Sequence, residues 1–277
     1  MIRLSAFADE ISPDLEEQIT VLHEQNIHWV ELRSVWDTNV LALSDAQVTR
    51  IMQRFAEEGI GVVALGSPLG KVPVDVPWAD ELRRLERAIE LTRRFDCAMI
   101  RIFSFYPPSD PGRQEPSAYR ADVIERIGRM AELAEKSGIT LVHENDTDLY
   151  GDTVERCLDV LTTVRSPGLQ AAFDPANFIV SGEVPYPNAY EALHSWVVHV
   201  HVKDAHPDRT VVAAGEGVAR WPELLERLRT AGYDGTFSLE PHLAAAGRFQ
   251  GFSGPDLFRH ASQTFTRMLQ RMDWVYG

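Results

Sequence analysis

Short apolar segments rich in β-branched residues alternate with amphipathic stretches along the whole chain. Eight segments have the composition of buried strands, and they begin near residues 2, 29, 61, 98, 140, 169, 197 and 235. The stretches between them carry apolar residues three and four positions apart, as at Leu15, Ile19 and Leu22. Eight such repeats are typical of a parallel eight-stranded sheet that closes into a (β/α)₈ TIM barrel.

An open, doubly wound sheet is the alternative architecture for this alternation. It would place a glycine-rich turn after the first strand, whereas the chain has Ala8, Asp9 and Glu10 there. No linker, low-complexity tract or shift in composition divides the sequence. We therefore predict an α/β protein with a single TIM-barrel domain over residues 1–277.

The overall charge excludes several classes of partner. The chain carries 27 basic and 41 acidic residues and a net charge of −14, which repels phosphate backbones and anionic lipids. We expect neither nucleic acid nor membrane as a partner, and the sequence does not indicate whether the chain forms a homo-oligomer. The N-terminal segment has the pattern of a strand and not that of a signal peptide, which predicts a cytoplasmic location.

Four strand-like segments in the second half of the chain each end in a residue that can bind a metal ion. They are TLVHEN, QAAFDPAN, VVHVHVKD and TFSLEPH, and they supply Glu144, Asp174, His201 and Glu240. The carboxyl ends of barrel strands meet at one mouth, so we expect these side chains to converge. Three carboxylates and an imidazole suit a hard divalent cation such as Mn²⁺ or Mg²⁺. For any single carboxylate, an ordinary ion pair is an equal alternative.

Strand side chains alternate between two faces, and this alternation identifies further inward-facing residues. In the seventh segment His199, His201 and Lys203 share one face, and the valines between them share the other. A polar row late in a barrel strand indicates the face that lines the lumen. Glu31 and Arg33 also share a face, and they either line the site or form a structural ion pair.

Two proline-rich segments, residues 66–79 and 105–118, follow predicted strands. In a barrel both would lie over the mouth where substrates bind. They are candidate lids that bring Lys71 near the site, with rigid surface loops as the alternative.

The motifs HEN, FDPAN, HVHVKD, GEG and GYDGTFSLEPH together resemble those of the xylose-isomerase-like TIM barrels, a group of sugar isomerases and epimerases. The opening FADEISPDLEEQ and the later VELRSVW resemble members described as sugar phosphate isomerase/epimerase. The resemblance implies one divalent metal ion held by Glu144, Asp174, His201 and Glu240. Mn²⁺ is the first expectation, with Mg²⁺, Co²⁺ and Zn²⁺ as alternatives. It also implies that Glu144 and Glu240 transfer protons to and from a metal-stabilised enediolate.

We expect the substrate to be a keto-sugar or polyol. The candidate substrate contacts are Asn177, His199, Lys203, Glu31, Arg33 and Lys71. Ketose epimerases of the family carry a histidine where this chain has Asn177, which leaves the identity of the sugar open. Alternatives to an isomerase or epimerase are a metal-dependent dehydratase or lyase acting on a sugar-derived acid, and a non-catalytic sugar-binding barrel. The DNA-repair branch of the family is disfavoured because its extra histidines are missing from the ends of strands two and three.

Overall fold

A closed barrel of parallel strands is the centre of the molecule in a computed structural model that describes residues 1–244 and 251–277. Within these residues, eight strands pair in chain order and the first pairs with the eighth, so the barrel is closed. The prediction of an eight-stranded α/β barrel is confirmed. The barrel strands are β1 Arg3–Ala6, β2 Trp29–Leu32, β3 Gly61–Leu69, β4 Met99–Ile102, β5 Thr140–Glu144, β6 Leu169–Phe173, β7 Val197–Val202 and β8 Thr236–Leu239.

Helices connect successive strands and cover the outside of the barrel. In the described part of the chain they are α1 Leu15–Glu24, α2 Asp45–Glu58, α3 Trp78–Phe95, α4 Pro116–Lys136, α5 Val154–Val164, α6 Pro175–Val180, α7 Tyr190–Leu193, α8 Trp221–Thr230 and α9 Pro255–Arg271. Among these residues no helix has both the length and the apolar character that crossing a membrane requires.

Local sequence signals explain where several helices begin and end. α2 begins with a capping box, in which the side chain of Ser44 accepts a hydrogen bond from the backbone of Gln47 and the Gln47 side chain accepts one from the backbone of Ser44. The same helix ends at Gly59, whose φ of 66° is the left-handed conformation that glycine adopts without strain. The carboxylate of Asp14 caps α1 by accepting from two backbone N–H groups.

The barrel strands place apolar and polar side chains on opposite faces. In β4, Ile100 and Ile102 belong to the buried apolar core, while Arg101 between them contacts Glu144 inside the barrel. Alternation of this kind puts the apolar faces against the helices and leaves the polar faces to fill the lumen. The lumen of this barrel therefore contains buried charged groups, among them Arg101 and Glu144.

The bounds of the two candidate lid segments differ between the structure and the sequence prediction. β3 continues to Leu69, and α3 begins at Trp78, so the first connection runs over residues 70–77. The second connection contains a short 3₁₀ turn, Pro111–Arg113, and ends where α4 begins at Pro116. Both connections follow the carboxyl end of a strand and lie on the side of the barrel where the predicted ligands are.

Candidate metal and catalytic site

The carboxyl ends of four neighbouring strands bring the four potential metal ligands together. Glu144 is the last residue of β5, Asp174 follows β6, His201 lies near the end of β7, and Glu240 follows β8. One donor atom of each lies within 4.8 Å of the donor atoms of the other three. All four residues are at most 2% exposed. Side chains spread over nearly a hundred positions of sequence thus form one buried cluster.

The imidazole of His201 lies among the three carboxylates. Its Nδ1 atom is 3.2 Å from Oε1 of Glu144, 3.3 Å from Oε2 of Glu240 and 3.8 Å from Oδ2 of Asp174. None of these contacts has hydrogen-bond geometry, and Nδ1 and Nε2 of His201 are both buried atoms without a hydrogen-bond partner among the described residues.

Buried polar atoms without a partner are costly, and a cation among them would remove that cost. The donor set of one imidazole nitrogen and three carboxylates has the chemistry of a site for Mn²⁺ or a similar divalent cation. The residues therefore fit a metal ion at this place.

Cationic side chains surround the carboxylates. Lys203 Nζ lies 2.8 Å from Oδ2 of Asp174 and 3.2 Å from Oε2 of Glu240. Arg101 Nη1 lies 3.0 Å from Oε2 of Glu144 and 3.6 Å from Oε1 of Glu240. Both cations are buried, and they offset part of the repulsion among the carboxylates.

The electrostatic environment differs among the three carboxylates. Burial raises the pKa of Glu144, but the His201 and Arg101 side chains overcome this effect and lower it to about 2. Burial also opposes ionisation of Glu240, whose pKa nonetheless lies well below its usual range because of Lys203 and neighbouring histidines. Burial dominates at Asp174 and raises its pKa. The two glutamates are therefore the more readily ionised members of the cluster.

Two asparagines hold Glu144 and Asp174 in place. Asn177 donates from its side chain to Oε1 of Glu144 at 3.1 Å and from its backbone N–H to Oδ1 of Asp174 at 2.9 Å. Asn145 exchanges two hydrogen bonds of 2.9 Å with the backbone of Asp174. Asn177, predicted to contact substrate, lies beside the ligands and is 9% exposed.

Glu31 and His199, also predicted to contact substrate, lie fully buried on the other side of the His201 ring. Oε2 of Glu31 is 2.7 Å from Nε2 of His199 and 3.3 Å from Nε2 of His201. Ser238 Oγ lies 3.0 Å from Nε2 of His199 and donates to Ser5. These contacts give Glu31 and His199 protein partners inside the barrel.

Arg33 lies at the edge of the ligand cluster. Its guanidinium donates to Asp9 at 2.7 Å, to Glu10 at 3.0 Å and to Glu240 at 2.9 Å. It also donates to the carbonyl of Gly251 at 3.2 Å. Arg33 is thus part of an ion-pair network, one of the two alternatives predicted for it, and this network reaches Glu240, one of the four predicted ligands.

Lys71 lies farther out, at the mouth. Its ammonium pairs with Asp146 at 2.5 Å and lies 4.7 Å from the centre of the Phe103 ring. The Lys71 side chain is 36% exposed, so it remains accessible from solvent while the ligand cluster is not.

Sequence reasoning missed Arg101 and Glu10 as members of the site. The sequence does contain a signal for Arg101. It is the one charged residue in the apolar segment of β4, and it alternates with Ile100 and Ile102, which places it on the opposite face of the strand. Glu10 lies 2.9 Å from Nε2 of His242, a contact between the two ends of the chain that no local pattern encodes.

Comparisons with known proteins bear on the family and the fold of the chain. A model of the family described as Xylose isomerase-like TIM barrel matches residues 19–267. The uncharacterized protein MJ1311 of Methanocaldococcus jannaschii is 27% identical over 133 residues, which is 45% of this chain and 45% of that protein. The match thus spans less than half the length of that relative.

Solved structures share the fold at low sequence identity. A D-tagatose 3-epimerase-like protein has a TM-score of 0.78 and 18% identity, with 98% of each chain covered. The probable 3-DHS dehydratase AsbF from Bacillus anthracis has a TM-score of 0.73 and 16% identity, covering 96% of this chain and 99% of that one. A Mycobacterium smegmatis barrel in complex with magnesium has a TM-score of 0.70 and 15% identity, covering 98% and 96%.

Proposed function

Because the chain belongs to the xylose isomerase-like TIM barrel family, we propose that it is a divalent-metal-dependent sugar isomerase or epimerase. The observation that carries the proposal is the convergence of Glu144, Asp174, His201 and Glu240, whose donor atoms lie within 4.8 Å of one another. In this proposal the protein binds one divalent cation through these four residues. Mn²⁺ is our first choice from the donor set, with Mg²⁺, Co²⁺ and Zn²⁺ as alternatives.

Bound there, the cation would polarise a carbonyl group of the substrate and acidify the neighbouring C–H bond. The chain then supplies the proton transfer. Glu144 and Glu240 come from β5 and β8, which are separated by two strands of the barrel, so they approach a substrate in the mouth from different sides. The pKa of both carboxyls lies below its usual range, so both are ionised at neutral pH, the form in which a carboxyl accepts a proton.

In this mechanism one glutamate takes the proton from carbon, the electron pair of the broken C–H bond forms a C=C bond, and the π electron pair of the carbonyl group moves to its oxygen. The second glutamate must already carry a proton taken from solvent, and it donates this proton to carbon from the other side, after which the first glutamate releases its proton to solvent. Lys203 and Arg101 are the nearest cations for the oxygen that becomes negative. We keep Asn177 as a donor to a substrate hydroxyl and Lys71 as a contact at the mouth.

The substrate in this proposal is a keto-sugar or polyol. The similarity of the fold to a D-tagatose 3-epimerase-like protein supports a ketose. A dehydratase acting on a sugar-derived acid is the second candidate, supported by the similarity to the probable 3-DHS dehydratase AsbF. Both reactions begin with removal of a proton next to a carbonyl group and differ in whether a hydroxide is then lost.

A solvent-exchange experiment tests the proposal and separates the candidates. The protein is stripped with a chelator, reloaded with MnCl₂ and incubated in D₂O with a panel of unphosphorylated and phosphorylated ketoses. An isomerase or epimerase incorporates deuterium next to the carbonyl and forms an isomeric sugar, whereas a dehydratase releases water. A sugar-binding protein without activity would bind members of the panel and leave them unlabelled, which would refute the proposal.

The Glu240→Gln variant gives the site-specific control. We expect exchange to fall at least ~100-fold, because general acid–base groups contribute about that much or more. Glu216→Gln is the matched substitution, since Glu216 pairs with His260 on the surface and should leave exchange unchanged. Retained exchange in Glu240→Gln would remove Glu240 from the proton-transfer step.

A further inference from the structure

The His201 side chain has a carboxylate on each side of its ring. Nδ1 lies among the oxygens of the predicted metal ligands, and Nε2 lies 3.3 Å from Oε2 of Glu31, a close contact of opposite charge without hydrogen-bond geometry. An imidazole can offer a lone pair to a metal ion from only one nitrogen while the other nitrogen keeps its proton. The protein must therefore determine which nitrogen carries the proton.

Glu31 is placed to make that choice. A carboxylate beside Nε2 favours the tautomer with the proton on Nε2, which leaves the lone pair on Nδ1. In metal sites of known proteins, the partner of the second ring nitrogen raises the basicity of the ligand and sets the orientation of the ring. Glu31 is 0% exposed, so water does not compete for this contact.

The position of Glu31 is itself set by its neighbours. His199 Nε2 lies 2.7 Å from Oε2 of Glu31, and Ser238 and Ser5 continue this chain of polar contacts across the lumen. The edge of the His201 ring is also packed against Phe7, with 5.2 Å between ring centres and an angle of 82° between ring planes. The imidazole is thus confined between an aromatic ring and two sets of carboxylates.

We propose that Glu31 is a positioning residue that keeps the proton on Nε2 of His201 and directs the lone pair of Nδ1 to the metal ion. This inference rests on the proposed function, since it concerns the same metal site. It replaces the earlier expectation that Glu31 contacts substrate, because Glu31 lies behind the ligand ring.

The alternative interpretation is that Glu31, His199 and His201 form a second cation site. Single donor atoms of Glu31, His199 and His201 also lie within 4.8 Å of one another. The 2.7 Å contact of Glu31 with His199 is already a hydrogen bond in length, which favours the positioning role. The two readings predict different metal contents.

Metal binding by Glu31→Gln tests the inference. Isothermal titration of chelator-treated protein with MnCl₂ should give one ion per chain in both wild type and variant, and a dissociation constant about 10- to 100-fold higher in the variant. Glu81→Gln is the matched control, because Glu81 is also a buried glutamate but pairs with Arg84 on α3. Its affinity for Mn²⁺ should equal that of wild type.

The tautomer gives a second readout that a general loss of stability would not change. In ¹⁵N-histidine spectra of the Mg²⁺-loaded wild type, His201 should show its proton on Nε2, and Glu31→Gln should show a mixture of tautomers. If Glu31→Gln does not fold, Glu31→Asp keeps the charge but withdraws it from the ring, and the same loss of affinity is expected.

Each outcome separates the inference from the proposed function. If wild type binds no metal ion, the proposed function fails. If wild type binds one ion but Glu31→Gln binds it equally well, with His201 in the same tautomer, only the positioning role fails. Two ions per chain in wild type, with one lost in Glu31→Gln, would overturn the inference in favour of a second cation site.

Discussion

Substitution of Asp174 by asparagine separates a metal ligand from a partner in an ordinary ion pair. In the metal-free protein, Lys203 lies 2.8 Å from Asp174 and attracts it by about 6 kcal/mol at an effective dielectric constant of about 20. The donor atoms of Glu144 and Glu240 lie within 4.8 Å, so each repels Asp174 by at least about 3.5 kcal/mol, or about 7 kcal/mol together.

Repulsion therefore balances the attraction, and burial adds a further cost. The pKa of Asp174 is raised, first by burial and then by the two glutamates. A raised pKa means that the ionised carboxylate is destabilised, in agreement with this balance. Asparagine keeps the shape of the side chain and still accepts from the backbone N–H of Asn177. We expect the free energy of unfolding of metal-free Asp174→Asn to be unchanged or about 1 kcal/mol higher.

Adding metal should stabilise wild type much more than it stabilises Asp174→Asn. With the metal concentration at about 100 times its dissociation constant, binding stabilises wild type by about 2.7 kcal/mol. For a chain of this size that raises the melting temperature by roughly 5–10 °C. If the variant binds about 100-fold more weakly, the gain falls to about 0.4 kcal/mol, and the melting temperature rises by less than about 2 °C.

Thermal unfolding with and without MnCl₂ measures both effects in one experiment. Asp159→Asn is the control, because Asp159 pairs with Arg120 and Tyr150 away from the mouth and should keep the full response to metal. A clearly lower melting temperature for metal-free Asp174→Asn, together with an undiminished rise on adding metal, would refute the reasoning and assign Asp174 to a structural ion pair.

Three further predictions concern other parts of the chain. Gly59→Ala should lower the free energy of unfolding by roughly 1–2 kcal/mol in chemical denaturation, because φ is 66° there. Gly70→Ala should lower it further, since its φ is 77° and a Cβ atom would also meet the backbone carbonyl of Phe103. Equal losses for the two variants would count against this packing at Gly70. Burial raises the pKa of Cys97 to about 12 from a usual 9.0 and raises that of Cys157 as well. At pH 8 both thiols should therefore react with a disulfide reagent at least ~1000-fold more slowly in the native protein than in the unfolded protein. Lys71→Ala should change the melting temperature by less than about 3 °C, because an exposed ion pair contributes at most about 1 kcal/mol, and should raise KM with little change in kcat; an unchanged KM would remove it from the substrate contacts.

The sequence alone was sufficient for the architecture and for the convergence of Glu144, Asp174, His201 and Glu240. The eight apolar segments follow from local periodicity, which depends only on neighbouring residues. The convergence of Glu144 with Glu240 follows once the fold is known, because parallel barrel strands all end at the same mouth. The family membership that the motifs indicated is confirmed by the family model over residues 19–267.

The partners of each charged side chain were decided only by the tertiary structure. Arg33 was ambiguous in sequence, and the structure joins it to Glu240, which is 207 positions away in the chain. Alternation along β2 predicts that Glu31 faces the inside of the barrel, but it does not predict that Glu31 lies at the same height in the barrel as the His201 ring. That height depends on the stagger between strands and on side-chain packing, which arise from contacts between distant segments and leave no local pattern in the sequence.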